Sequence, residues 1–166
     1  MNNIFKKEKG FTLLEMLISI MVITIGVLGI YSAVFKYIKN TQQERENLVA
    51  SYLCQEGIEI VKNIRDTNWV ESATTWSDGL TSCSSGCEAD YNGILTAWSS
   101  PGRYLYIDNS TGLYKYVASP VTGDIKTSYT RRIDIVPNGT DELDITVYVY
   151  WETNTIVVKE NLFNWR

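Results

Sequence analysis

The sequence predicts an α+β chain in which one long N-terminal helix packs by its second half on an antiparallel sheet of four or five strands. Three observations predict it. An apolar run occupies Phe11 to Phe35. No proline interrupts the chain from there to Asp66, where apolar residues recur at helical spacing. From Arg103 onward apolar and polar residues alternate in short runs separated by turn residues. At 166 residues the chain can hold one domain and an appendage, since domains are typically ~100–200 residues long.

Of the 25 residues in the apolar run, 18 are hydrophobic, Gly26 and Gly29 add two more, and only Glu15 is charged. Such a helix can cross a bilayer, because ~20 apolar residues span the ~30 Å of hydrocarbon. It is too long for the ~7–15-residue apolar region of a secretory signal peptide, and no small-residue cleavage site of the A-x-A kind follows it. A plain signal anchor would account for Lys6, Lys7 and Lys9 as a cytoplasmic flank. It would leave Glu15 unexplained. A carboxylate inside a membrane helix costs ~2.5–3.5 kcal/mol on insertion scales and calls for a partner.

The residues KEKGFTLLEMLISIMVITIGVLGIYSAVF resemble the class III leader of type IV prepilins and pseudopilins. The resemblance implies cleavage after Gly10 by a prepilin peptidase on the cytoplasmic side. It also implies N-methylation of the new first residue, Phe11, by the same enzyme, and a role in assembly for Glu15, the fifth residue of the mature chain. Elementary electrostatics gives that spacing a reason. Cleavage frees an α-ammonium four residues, about one helical turn, before Glu15. Between adjacent chains the two charges would offset each other in low dielectric and set an axial register, and methylation leaves the amine protonatable.

The family's fold is the same helix on a sheet, and its partners are other pilins or pseudopilins and the cytoplasmic membrane, with the head outside the cytoplasm before entry into a pilus or pseudopilus. The segments IGVLGIYSAVF and VYVYWETNTIVVKENLFNW are similar to the minor-pilin branch that includes the pilus-modification pilin V and the type II secretion minor pseudopilin I. The resemblance thus implies a minor subunit at or near the tip of a fibre. The alternative is a pilin-like binding subunit for DNA uptake or adhesion. The expected organisation is a leader at 1–10, a membrane or assembly half-helix at 11–35, an amphipathic half at 36–66, a connecting region at 67–102 and a sheet head at 103–166.

In the amphipathic half, Val49, Leu53, Gly57, Ile60 and Ile64 fall on one helix face, opposite Gln42, Glu44, Arg45, Glu46, Glu59 and Lys62. Gly26 and Gly29 each cost ~1 kcal/mol relative to Ala in a helix interior. They are either points of loosening or places of close packing against neighbouring helices.

Region 67–102 is rich in Ser, Thr, Gly and Trp and shows no sustained period, with short elements expected near Tyr91–Trp98. Within it Cys83 and Cys87 enclose a small loop that can close as a disulfide outside the cytoplasm. A zinc site would need two further ligands, and Cys54 with no histidine cannot complete it. Cys54 reads as a buried thiol. Arg103–Asp108 and Leu113–Ala118 flank Asn109-Ser110-Thr111-Gly112 as a hairpin, and Tyr129–Val136, Leu143–Trp151 and Thr155–Glu160 follow as strands. In the second of these Leu143, Ile145, Val147, Val149 and Trp151 face one way. Tyr104, Tyr106, Tyr114, Tyr116, Tyr148 and Tyr150 are expected on the opposite face as a half-exposed aromatic surface, a candidate contact for neighbouring subunits or a ligand.

Net charge is −4, and the first ten residues carry +2, leaving −6 for the remainder. An acidic remainder argues against a duplex-binding protein. There is no histidine, which removes the usual general base and the commonest metal ligand, and no P-loop, G-x-S-x-G or H-E-x-x-H motif occurs. No catalytic residue, metal or cofactor is therefore expected, and neither a nucleic-acid partner nor a small-molecule substrate. Asp141, Glu142 and Asp144 lie close enough together to hold calcium, but without EF-hand spacing they read as a solvated turn.

Overall fold

The computed structural model describes residues 10–71, 75–119 and 122–165. Lys6, Lys7 and Lys9 of the leader lie outside the described residues. A single helix, α1, runs from Leu13 to Val70, and the chain divides into two compact units at residues 45 and 46. Thr12 starts the helix: its Oγ1 accepts from the Glu15 N–H at 3.3 Å, as an N-cap hydroxyl does. The helix continues four residues past Asp66, because no breaker stands in Thr67-Asn68-Trp69-Val70. Its end is held by the Asn68 amide, which donates to Trp76 O and Asp78 O, and by Trp69, which meets Trp165 edge-on at 4.0 Å with the Arg65 guanidinium 4.7 Å from its ring.

In the first unit the apolar side chains of α1 are exposed, from Leu13 at 80% to Ile38 at 57%. The helix is uninterrupted through Gly26 and Gly29, where an added Cβ would meet nothing within 4 Å. Ser19, Thr24 and Ser32 each donate their hydroxyl to the carbonyl four residues back, at 2.7–2.9 Å. These three hydroxyls in the apolar stretch are thus satisfied inside the helix itself, as hydrocarbon surroundings require, while the Glu15 carboxylate is not.

In the second unit α1 buries Ala50, Leu53, Cys54, Gly57, Ile58, Ile60 and Val61, while Val49 and Ile64 pack half-buried on the same core. The buried stripe is wider than the expected one because the helix lies against a sheet rather than a single partner helix. Gly57 marks the closest approach: a Cβ there would stand 3.0 Å from Val147 Cγ1 and 3.3 Å from Arg131 Cδ.

The sheet is antiparallel and has seven strands among the described residues: β1 (Cys87–Glu88), β2 (Thr96–Ala97), β3 (Tyr104–Ile107), β4 (Tyr114–Lys115), β5 (Ile125–Pro137), β6 (Glu142–Trp151) and β7 (Asn154–Phe163). β5 is its axis. One edge pairs with β6 from Tyr129↔Trp151 to Pro137↔Leu143, and β7 adds beyond β6. The other edge is shared, β3 pairing near Ile125–Thr130 and β1 at Ile133. The expected count of four or five strands is therefore too low, since β1 and β2 come from the region read as a connection. Two-residue strands carry no period to read.

Along β6, Leu143, Ile145, Val147, Val149 and Trp151 are all buried against the helix, each at most 2% exposed. Burial of this kind contributes about 1.5–3 kcal/mol per large side chain relative to exposure. The β3–β4 hairpin forms as expected, but Tyr114 and Tyr116 do not join the outer aromatic face. Ile107 pairs with Tyr114, which puts Tyr114 on the inward face with Leu105, and both tyrosines pack on the core.

Candidate functional site

The first unit holds Gly10, Phe11 and Glu15 at the helix start. Gly10 and Phe11 precede the first helical residue, both are exposed, and a Cβ on Gly10 would meet nothing within 4 Å. Glu15 lies in the first turn, where the helix dipole favours negative charge. Its carboxylate makes no hydrogen bond or ion pair among the described residues, so the charge is available to an external cation.

In the second unit the carboxylates of the connecting region are turned to structural use. Glu88, 2% exposed, accepts from the Arg103 N–H at 2.7 Å and from Arg103 Nε at 2.5 Å. Asp90 accepts from the backbone N–H groups of Asn92 and Tyr116, both at 3.1 Å. Cys83 and Cys87 are bonded with their Cα atoms 5.2 Å apart, tying the 3₁₀ turn Thr81–Cys83 to β1. Gly86 between them has φ +101, and a Cβ there would stand 2.7 Å from Arg132 Nε.

Arg131 is fully buried between sheet and helix. Its Nη1 donates to Leu53 O and to Glu56 Oε2, both at 2.9 Å, and its Nη2 to Ala89 O. The sequence signal was present: Tyr129, Arg131, Ile133 and Ile135 share one face of β5. Cys54 is buried, and burial pushes its thiol up to about 11.

Of the carboxylates in the Pro137–Asp144 turn, Asp141 and Glu142 engage amides and a hydroxyl, while Asp144 Oδ1 is buried with no hydrogen-bond partner among the described residues. Both Glu142 oxygens accept, from Asn138 at 3.0 Å and Asn161 at 2.7 Å, while Asp141 accepts from Thr140 and Asn164. No group of three or more metal-ligating side chains occurs among the described residues.

Residues 5–31 match the prokaryotic N-terminal methylation motif. This is the signal of type IV pilins and pseudopilins; it supports the pilin family and suggests a structural subunit rather than an enzyme. The match spans the helix start and most of the apolar run, and α1 is long and apolar enough to cross a membrane. The motif implies processing by prepilin peptidase and assembly with other pilins, and together with the helix it fits anchoring in the inner membrane. No curated protein and no solved structure matches the chain significantly.

Proposed function

We propose that the chain is the precursor of a minor type IV pilin or type II secretion pseudopilin, cleaved between Gly10 and Phe11, methylated on Phe11, and placed at or near the tip of the fibre with its head outside the cytoplasm. The observation that carries this reading is the methylation motif at the start of a helix whose apolar half is exposed and whose hydroxyls at Ser19, Thr24 and Ser32 are bonded within the helix. A helix with those properties is stable in lipid before assembly and against other apolar helices after it. Glu15 supplies what either environment otherwise lacks, a fixed anion one turn from where a neighbour's α-ammonium can dock.

Two effects of Glu15→Gln have opposite signs, which separates this role from a general defect. Removing the charge eases membrane insertion by up to ~2.5–3.5 kcal/mol. It also leaves a neighbour's ammonium facing a neutral amide, and assembly is lost. The expected result is a variant that accumulates in the membrane and is still cleaved, yet fails to co-purify with partner pilins. Co-purification equal to wild type would remove Glu15 from the assembly role.

A further inference from the structure

A pocket of about 350 Å³ opens on the outer face of the sheet, within the second unit. A row of three cross-strand partners forms its floor: Tyr104 of β3, Thr130 of β5 and Tyr150 of β6. Thr130 is only 7% exposed. Trp98 makes one wall, and its indole Nε1 is buried with no hydrogen-bond partner among the described residues. Beside it is Gly102, at φ +87; a Cβ there would stand 2.7 Å from that Nε1 and 3.4 Å from Thr130 Cβ. Glycine is what keeps the space between the indole N–H and the threonine open.

The polar groups of the lining are uncommitted. Among the described residues, the side chains of Ser100, Ser128, Thr130, Tyr150 and Glu152 make no hydrogen bond. Glu152, in the turn between β6 and β7, has φ +48, a left-handed conformation unfavourable for a residue with a Cβ. A glycine there would relieve the backbone, so the carboxylate is held at the rim against local preference.

Charge narrows the ligand. No Lys or Arg lines the pocket. The nearby Arg132 is bonded to Asp134 at 2.6 and 2.9 Å, and the Lys126 ammonium lies over Tyr104, 4.1 Å from its ring. A phosphate strand would face Glu152 with no lining cation to bind it. A cationic ligand would meet Lys126 and Arg132 on the aromatic rings it needs, since Arg132 lies 5.0 Å from the Trp98 ring centre. A neutral ring with an apolar face and a rim of hydroxyls satisfies every group: aromatic surfaces for the face, and unpaired donors and acceptors for the rim. The volume is at the small end of the ~300–1,000 Å³ of ligand pockets. We propose that this pocket binds a neutral sugar unit of a glycan, a site that rests on the sheet alone and not on the pilin reading.

The test uses the full chain in a polyoxyethylene ether detergent, whose head groups carry no sugar, applied to an array of neutral and sialylated glycans, with a thymidine oligonucleotide as the polyanion. Any neutral glycan retained is then titrated by tryptophan fluorescence. The expected result is binding of neutral glycans, weakened about tenfold in Trp98→Phe by loss of one hydrogen bond, and weakened in Glu152→Gly while the thermal midpoint holds or rises. Retention of no neutral glycan, preference for sialylated glycans or the oligonucleotide, or unchanged binding in both variants overturns the proposal.

Discussion

Arg131 is the residue on which sheet and helix of the second unit both depend. Its guanidinium satisfies a helix carbonyl, a loop carbonyl and the Glu56 carboxylate from a fully buried position. Arg131→Met keeps the stem and removes the donors, leaving two carbonyls short of a partner at ~1–3 kcal/mol each; about 2–6 kcal/mol of stability should be lost in chemical denaturation of the second unit's tertiary signal. Alternation along β5 made the inward position of Arg131 legible, but not its partners, which come from 42, 75 and 78 residues away in sequence. Cys54 was legible as buried. Because burial raises its folded value from 9.0 to about 11, the unfolded chain releases this proton first, and stability should fall as pH rises from 9 toward 11. Tyr114, Tyr116, Tyr129 and Tyr150, also raised by burial, add to the decline increasingly as pH approaches and passes 10, so Cys54→Ala should reduce the slope most near pH 9. Alkylation reports the same burial: Cys54 should react only after denaturation, and Cys83 and Cys87 only after reduction.

Among the elements, α1, β5, β6 and β7 were readable because each carries a sustained period, 3.6 for the helix stripe and 2 for the strands. β1 was not, being too short for any period, while β2 falls among the short elements expected near Tyr91–Trp98; β1 is held by its pairing with β5 and by the Cys83–Cys87 bond, and β2 by its pairing with β1. The inward turn of Tyr114 was missed because two-residue β4 takes its face from the Ile107 pairing rather than from a pattern of its own. The stripe's glycine was legible as a position but not as a contact. With a Cβ already at 3.0 Å from Val147 Cγ1, Gly57→Leu should cost about 1–3 kcal/mol by overpacking. Adding Val147→Ala should recover part of that loss, a coupling that two independent defects would not show.

For the whole molecule, the two units divide the labour. The first carries the methylation motif and an apolar helix whose large apolar side chains, from Leu13 to Ile38, are exposed among the described residues. That composition fits a membrane anchor, and it was legible because an apolar run of this length needs no tertiary pattern to be read. The outer pocket was not legible, since its lining gathers residues from Trp98 to Glu152 through the sheet register. In the proposed precursor, residues 1–10 are a leader and Phe11 is the mature terminus. Intact-mass analysis of the chain extracted from membranes of a cell that carries a prepilin peptidase tests it most directly. The expected species begins at Phe11 and carries one added methyl group. A chain that keeps its first ten residues, or begins at any other position, would contradict the account.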